Sequence, residues 1–275
     1  MFIEKTITTN GQQWYYRKAG KGTAVVLVHG FAEDSQGWAL QQEFLQQHFT
    51  VIVPDLPGSG HSTADSFDWS MELFAEGIRQ ILEEEQIPAA ILIGHSMGGY
   101  ISLAFAEKYP QQLLGLGLFH STALADSEER KNIRRRGIEF IREHGAARFL
   151  EQATPNLFSE ITRKENPELV QLITDRYAGF DPQSLTAYYE AMIRRPDRTA
   201  ILQAIALPVL FVIGQHDATI PPEQVLPQTY LPGFSFVEIL NNSGHMGMLE
   251  ETARANQLLY RFCDACQTMV PAPLK

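Results

Sequence analysis

The chain has 275 residues, of which 44% are hydrophobic and 20% charged, and its formal net charge is −10 at pH 7. A globular chain of this length buries a core large enough to fold without disulfide or metal staples. The acidic balance argues against a nucleic-acid surface, because phosphate binding needs a basic face, and it disfavours binding to anionic membranes. A small uncharged substrate is compatible with it.

Two local features bear on the cellular compartment. The segment Met1–Lys5 carries an acidic residue early and no apolar h-region follows, which argues against a secretory signal. No apolar run is long enough to span a bilayer. Cys263 and Cys266 form a C-x-x-C late in a predicted helix, without a second pair to complete a zinc site. We interpret them as free thiols of a cytoplasmic protein, with a redox role as the alternative.

The first half of the sequence alternates strand and helix patterns. Asn10-Gly11 is a strong hairpin signal. Uninterrupted apolar runs further along are typical of strands buried on both faces. The predicted strands are Phe2–Thr8, Gln13–Lys18, Thr23–Val28, Val51–Val53, Ala89–Ile93 and Leu113–Phe119. The predicted helices are Gln36–His48, Ser70–Gln86 and Gly98–Lys108. This alternation implies a parallel sheet with right-handed crossovers.

The middle of the sequence loses its strands. From Ala123 to Ala204 the pattern is helical throughout, and its run Arg134–Arg136 is interpreted as a solvated helix face rather than an anion site. Later elements are the predicted strands Pro208–Ile213 and Ser235–Leu240 and the helix Met248–Ala265. We therefore divide the chain into the first part of a core at 1–121, a helical cap or lid at 122–204, and the second part of the core at 205–275.

A candidate nucleophile lies between the strand Ala89–Ile93 and the next predicted helix. Gly94-His95-Ser96-Met97-Gly98 fits the pattern G-x-S-x-G. A strand-to-helix turn this sharp strains its central residue, and the flanking glycines remove Cβ atoms that would clash. The alternative is a tight glycine-rich turn without chemistry. The context favours Ser96 as a nucleophile that is raised above the sheet.

A serine hydroxyl is a poor nucleophile at its ordinary pKa, so it needs a base. His245 lies in the loop after the strand Ser235–Leu240. Functional loops of a parallel sheet gather at the carboxyl ends of its strands, where Ser96 is also expected. His120, which follows another strand, is the alternative base, whereas the side chain of His95 is expected to point away from Ser96.

The acid is also expected at a strand end. Asp217 follows Pro208–Ile213, and a buried carboxylate there would hold His245 in the right tautomer. No carboxylate follows Leu113–Phe119, so that strand end offers no substitute. An ordinary helix cap or Asx turn is the alternative role for Asp217.

The loop after the strand Thr23–Val28 supplies a candidate oxyanion hole. It reads His29-Gly30-Phe31-Ala32. The backbone N–H groups of Phe31 and Met97 are the predicted donors to a developing negative charge. His29 is expected to bond within its own loop rather than to transfer protons.

In combination, these segments resemble the α/β-hydrolase-fold superfamily over nearly the whole chain. The matching segments are His29-Gly30-Phe31, Asp55–Ser62, Gly94–Gly99, Gly214–Asp217 and Gly244-His245. The order of the three residues along the chain, Ser, Asp, His, is also that of the α/β-hydrolases. The resemblance implies a mostly parallel central sheet flanked by helices, an inserted helical lid, and a supporting role for Asp55. It further implies a hydrolase of the carboxylesterase type that acts on a small acyl substrate through an acyl-enzyme, without metal or cofactor.

Departures from the patterns of particular family members narrow the range of activities that the resemblance implies. Family dehalogenases and epoxide hydrolases have Asp at the position of Ser96, and lipases with a Gly-Gly-Gly loop differ from the single Gly30. The menaquinone-pathway member that cleaves off pyruvate has Arg where this chain has Tyr100. Carbon–carbon bond hydrolases or lyases of the same fold share the triad and stay as the alternative. A non-catalytic ligand receptor is a further alternative.

The aromatic residues of the predicted lid suggest an apolar or aromatic acyl pocket. Most of them at helical spacing are expected to serve packing. As substrate-binding residues we predict Trp38, Phe140, Phe158 and Tyr188. The acyl and alcohol groups of the substrate and the oligomeric state are left open by the sequence.

Overall fold

The central sheet contains eight strands within the residues that the computed structural model describes, 2–9 and 11–269. The strands are β1 Ile3–Thr9, β2 Gln12–Ala19, β3 Ala24–Val28, β4 Thr50–Pro54, β5 Ala90–His95, β6 Leu113–Phe119, β7 Val209–Gly214 and β8 Ser235–Leu240. Their order in the sheet is β1-β2-β4-β3-β5-β6-β7-β8. β2 pairs antiparallel with β1 and with β4, and every later pairing is parallel. The mostly parallel sheet that we predict is therefore confirmed.

The first two strands form a hairpin. Thr9 pairs with Gln12, and the register continues to Ile3 opposite Lys18. Gly11 has a φ of +72°, a left-handed conformation that glycine adopts without a Cβ clash. Asn10, the other half of the predicted turn signal, lies outside the described residues.

Helices cover both faces of the sheet. They are α1 Ala39–Leu45, α2 Met71–Glu84, α3 Met97–Lys108, α4 Glu128–His144, α5 Ala146–Ala153, α6 Glu160–Glu165, α7 Pro167–Tyr177, α8 Pro182–Arg194, α9 Thr199–Ala204, α10 Pro222–Val225, α11 Gly247–Glu250 and α12 Thr252–Met269. Successive strand residues point to opposite faces. Val26 and Leu92 therefore pack with α2 and α3, whereas Val25 and Ile91 pack with α1 and α12. Within the described ranges, no helix is long and apolar enough to cross a bilayer.

Two predicted helices differ in detail. The segment Gln36–His48 begins as a 3₁₀ turn, Ser35–Trp38, before α1. The helix predicted over Met248–Ala265 is broken at Glu251, whose φ of −127° and ψ of 51° are not helical. The break has a physical reason, because the Glu251 carboxylate turns back to accept hydrogen bonds from the preceding loop at Asn242 N and Ser243 Oγ.

The two cysteines lie on α12 as buried free thiols. Burial raises the pKa of Cys266 to about 12, so this thiol stays protonated near neutral pH and unreactive. The free-thiol interpretation agrees with this environment.

The insertion between β6 and β7 contains α4 to α9 without a strand. It is tied to the loops of the sheet by hydrogen bonds from tyrosine hydroxyls. Tyr177 Oη donates to Asp34 Oδ1 at 3.2 Å, and Tyr188 Oη donates to the Pro57 carbonyl at 2.6 Å. The all-helical pattern is as expected, and the division into a core at 1–121 and 205–275 and a cap at 122–204 stays a prediction.

Candidate active site

Ser96 occupies a strained turn between β5 and α3. Its φ of +51° and ψ of −114° lie in a region that non-glycine residues rarely adopt. A Cβ atom at Gly94 would lie 2.1 Å from the Gly98 backbone, and one at Gly98 would lie 2.3 Å from the Val28 carbonyl oxygen. The glycines are therefore required by close backbone packing. They allow a conformation that costs roughly 1–3 kcal/mol and presents the serine side chain at the sheet edge.

His245 and Asp217 form a buried pair at the same edge. His245 Nδ1 lies 2.7 Å from Asp217 Oδ2, while the backbone N–H groups of Thr219 and Ile220 donate to Oδ1 at 2.8 Å each. Burial alone would raise the pKa of Asp217. The neighbouring His245 and His120 outweigh burial through their charge and their side-chain hydrogen bonds, and they hold the pKa of this carboxyl well below its usual range. The carboxylate is thus ionised and fixes Nδ1 of His245 as the protonated nitrogen.

Ser96 and His245 line one cavity of about 310 Å³. The hydrogen bonds of the described residues include none between Ser96 Oγ and His245 Nε2. Such contacts are commonly long in a structure without substrate and tighten when substrate binds. The structure therefore brings together all three residues that we predict from the sequence, with the Asp217–His245 contact formed.

A buried ion pair that the sequence analysis missed holds this arrangement together. His95 Nδ1 lies 2.9 Å from Glu33 Oε1, and His95 Nε2 donates to the His245 carbonyl at 2.9 Å. Glu33 also accepts from Gly30 N at 2.9 Å. Both nitrogens of His95 thus face oxygen atoms, an arrangement in which an imidazolium donates from both sides. The pair links the loop after β3, the Ser96 turn and the His245 loop.

The pKa values of this pair are consistent with two charged groups. Burial alone would raise the pKa of Glu33 and lower that of His95. Their mutual attraction, with the hydrogen bonds from Gly30 to Glu33 and from His95 to His245, outweighs burial. As a result the pKa of Glu33 is lowered and that of His95 raised. His95 does point away from the cavity, as we expect.

His120, the alternative base, lies behind the acid. Its Nε2 accepts from Gly247 N at 3.2 Å, so the proton of the neutral ring is on Nδ1, which lies 3.5 Å from Asp217 Oδ2. Burial lowers the pKa of His120 to about 4. The described residues that line the cavity include His245 but not His120. This placement favours His245 as the base.

The predicted oxyanion donors lie on two different segments next to the cavity. Phe31 lines the cavity, and Met97 is the first residue of α3, where the backbone N–H groups have no helical acceptor. Within the described part of the chain, neither N–H donates a hydrogen bond to protein. Both are therefore available to an oxygen of a bound ligand.

Two loops support this edge of the sheet. Asp55 Oδ1 accepts from Ser35 N at 2.7 Å. His29 Nδ1 donates to the Gly30 carbonyl at 2.8 Å, and its Nε2 accepts from Leu56 N at 3.0 Å. His29 and Asp55 thus have the supporting roles that we expect.

The cavity walls differ from the sequence prediction. The apolar walls are Phe31, Phe149, Leu150, Leu157, Ile173 and Tyr189. None of the four aromatic residues predicted to bind substrate is among the described lining residues, so this part of the prediction is wrong. Trp38 is buried against Phe119, with ring centroids 5.3 Å apart. Phe140 packs on His144 at 4.5 Å.

The other two predicted walls are displaced by one position. Phe158 is buried in the core, and the preceding Leu157 faces the cavity instead. Tyr188 packs on Trp69 at 4.8 Å, while Tyr189 lines the cavity. On α8, one residue along the helix rotates a side chain by about 100°, which is enough to move it from cavity to core. Phe158 instead follows the 3₁₀ turn Thr154–Leu157 in an extended conformation, which turns its side chain away from that of Leu157.

The run Arg134–Arg136 is also partly misassigned. Arg135 and Arg136 are exposed, as predicted for a solvated face. The side chain of Arg134 is only 11% exposed and lines the cavity, where its Nε donates to Asp126 Oδ2 at 2.6 Å. The buried partner lies eight residues earlier, so the local charge pattern did not indicate it.

Comparisons with known proteins agree with this fold and site. The sequence profile described as "Alpha/beta hydrolase family" matches residues 25–257. The chain therefore belongs to the alpha/beta hydrolase family. An esterase from Thermogutta terrifontis, solved with malate bound, is 33% identical with a TM-score of 0.89, over 97% of this chain and 99% of that chain.

Two further similar proteins also cleave ester bonds or lactones, according to their names. A pimeloyl-[acyl-carrier protein] methyl ester esterase from Vibrio cholerae is 28% identical over 90% of this chain and 97% of that protein. An enol-lactonase from Burkholderia xenovorans LB400 shares the fold, with a TM-score of 0.87 at 22% identity over 94% of this chain and 99% of that chain. Family and relatives together identify the chain as a hydrolase.

Proposed function

We propose that the protein is a serine esterase that cleaves a small carboxylic ester through an acyl-enzyme on Ser96. The observation that carries the proposal is the buried Asp217–His245 pair, 2.7 Å apart, facing the same cavity as the strained Ser96. The esterases among its relatives support ester bonds as the target.

In the first half of the proposed reaction, His245 Nε2 takes the proton of Ser96 as Oγ bonds to the acyl carbon. The carbonyl oxygen becomes negatively charged and accepts hydrogen bonds from Phe31 N and Met97 N. Losing one such donor typically costs about 3–4 kcal/mol of transition-state stabilisation. The intermediate then collapses, the bond to the alcohol oxygen breaks, and His245 protonates the departing alcohol.

In the second half, water attacks the acyl carbon of the ester on Ser96. His245 removes a proton from that water and returns it to Oγ as the carboxylic acid leaves. Asp217 stays ionised throughout, because its pKa is far below neutrality, and it stabilises the imidazolium of His245. The contact of His95 with the His245 carbonyl holds the loop of the base in place.

Replacement of the nucleophile tests this proposal. For Ser96→Ala we expect kcat/KM with 4-nitrophenyl acetate to fall by about 10⁴-fold or more. The matched control is Ser102→Ala on the helix that follows Ser96, where the hydroxyl donates to the Gly98 carbonyl at 2.9 Å. Ser102→Ala should keep near-normal turnover. Full activity in Ser96→Ala would refute the assignment of the nucleophile.

A further inference from the structure

Two guanidinium groups line the catalytic cavity. Arg130 and Arg134 are four residues apart on α4, so their side chains share one face of the helix. Both line the cavity that Ser96 and His245 line. The cavity therefore combines apolar walls with two cationic side chains, while its acidic lining residue, Glu33, is paired with His95.

The arginines beside the cavity differ in their ion pairs. Asp126 is shared by two arginines, at 2.6 Å from Arg134 Nε and 2.9 Å from Arg195 Nη2. In the described part of the chain, Arg130 has no carboxylate within 4.0 Å, and its Nη2 donates to the Thr219 carbonyl. Asp126 thus pairs with two of the three guanidinium groups, and Arg130 is the one that lacks a carboxylate partner in the described part of the chain.

The two ion-paired arginines lie in the interior rather than on the surface. The side chains of Arg134 and Arg195 are 11% and 3% exposed. Arg195 lies over the ring of Tyr100, 3.8 Å from its centroid. The chain as a whole has a net charge of −10, so a general basic surface does not account for the cluster. Arg130, which lacks a carboxylate partner among the described residues, is half-buried beside them, and a charge in such a place is costly unless an anion pairs with it.

Guanidinium chemistry defines the anion. An arginine stays protonated at all relevant pH values and offers a planar set of N–H donors that matches a carboxylate. Arg130 uses one of its donors on Thr219, and Arg134 uses one side of its fork on Asp126. Each has further donors for a ligand in the cavity that they line.

We propose that the substrate is an ester that carries a second, free carboxylate, and that Arg130 and Arg134 bind this carboxylate while the ester group lies at Ser96. This inference rests on the proposed esterase function and adds the charge of the substrate to it. Tyr189, which lies under Arg134 at 5.5 Å, and Phe149 contact the apolar part of the same substrate.

Matched pairs of esters test the proposal on the wild-type enzyme. The acyl-side pair is mono-4-nitrophenyl glutarate and its neutral isostere with a terminal carboxamide. The alcohol-side pair is 4-acetoxybenzoate and 4-acetoxybenzamide, with each rate corrected for its rate of alkaline hydrolysis. A charge-assisted hydrogen-bonded pair predicts a kcat/KM roughly 10- to 100-fold higher for the carboxylate member of at least one pair. The pair that shows the preference identifies the side of the ester that carries the charge.

Variants on one helix locate the preference. Arg130→Gln, which leaves no acidic partner behind, and Arg134→Gln should each lower the carboxylate-to-neutral ratio of kcat/KM by about tenfold or more. Arg130→Lys should retain part of it. The matched control is Arg135→Gln, which removes the same charge from the exposed face of α4 and should leave the ratio unchanged.

The outcomes separate this inference from the proposed function. Turnover of both members of each pair without a carboxylate preference would overturn the inference alone. An unchanged preference in Arg130→Gln and Arg134→Gln would also overturn it. If no ester is hydrolysed and a fluorophosphonate does not label Ser96, the esterase proposal itself fails.

Discussion

Two regions of the molecule enclose the cavity beside Ser96: the loops at the carboxyl edge of the sheet, and the helical insertion between β6 and β7. The loops are fixed by buried polar contacts such as Asp217–His245 and Glu33–His95. The insertion contributes side chains from helix faces, among them Arg134 and Tyr189. Changes in the loops should therefore alter the rate of the chemical step, whereas changes in the insertion should alter the choice of substrate.

The largest expected effect lies in the loops. Asp217→Asn keeps the size of the side chain but favours the wrong tautomer of His245, and it should lower kcat by about 10⁴-fold. Steady-state kinetics with 4-nitrophenyl acetate measure it. A loss confined to KM would show that Asp217 serves binding and would remove the distinction between the two regions.

The next effect concerns the buried pair. Glu33→Gln leaves the cation of His95 without its partner, which typically costs about 3–5 kcal/mol of unfolding free energy. The pKa of Glu33 is lowered from an ordinary value of 4.5, so its contribution is complete above pH 4.5 and is lost as the pH falls further. The pKa of His95 is raised from 6.5, so its contribution is complete below pH 6.5 and is lost as the pH rises.

The difference between wild type and Glu33→Gln should therefore be largest from about pH 4.5 to 6.5 and smaller on both sides. Urea unfolding at a series of pH values measures it. Glu43→Gln, on the exposed side of α1, is the control and should show no such maximum. A pH-independent difference would contradict the assignment of two charged groups.

A smaller effect concerns His120. Its pKa is lowered from 6.5 to about 4, so the unfolded chain binds a proton that the folded protein does not, and stability falls as the pH drops through this range. For the uptake of one proton, the unfolding free energy falls by on the order of 3 kcal/mol across this range. His120→Gln keeps an acceptor for Gly247 N and should remove this part of the slope in urea unfolding. His144→Gln, at the exposed end of α4, should retain the slope of wild type.

The smallest effect lies in the insertion. Tyr189→Ala enlarges the cavity and should shift the preference toward longer or bulkier acyl chains by roughly 10-fold in relative kcat/KM. A series of 4-nitrophenyl esters of increasing chain length measures it. Phe140→Ala, which lies outside the cavity lining, should retain the preference of wild type. An equal loss of kcat for all esters in Tyr189→Ala would show that this residue affects the chemical step, as the loop residues are expected to do, and not the choice of substrate.

The same two regions differ in how far the sequence predicts them. Ser96, Asp217 and His245 are predictable because each follows a strand of a parallel sheet, and such loops converge at one edge. Glu33 and His95 are 62 residues apart, and no spacing rule connects them; only the packing of the two loops makes them partners.

In the insertion, periodicity predicts helices but not their rotation. α8 contacts the core through Tyr188 and the cavity through Tyr189, so both faces are apolar and the pattern does not show which one meets the substrate. Arg134 resembles its exposed neighbours in sequence, and its buried position depends on Asp126.

Labelling with a fluorophosphonate, followed by peptide mapping by mass spectrometry, tests the central claim most directly. The proposed mechanism predicts a single adduct on Ser96, formed much more slowly in Asp217→Asn and absent in Ser96→Ala. An adduct on another residue, or undiminished labelling of Ser96→Ala, would contradict it.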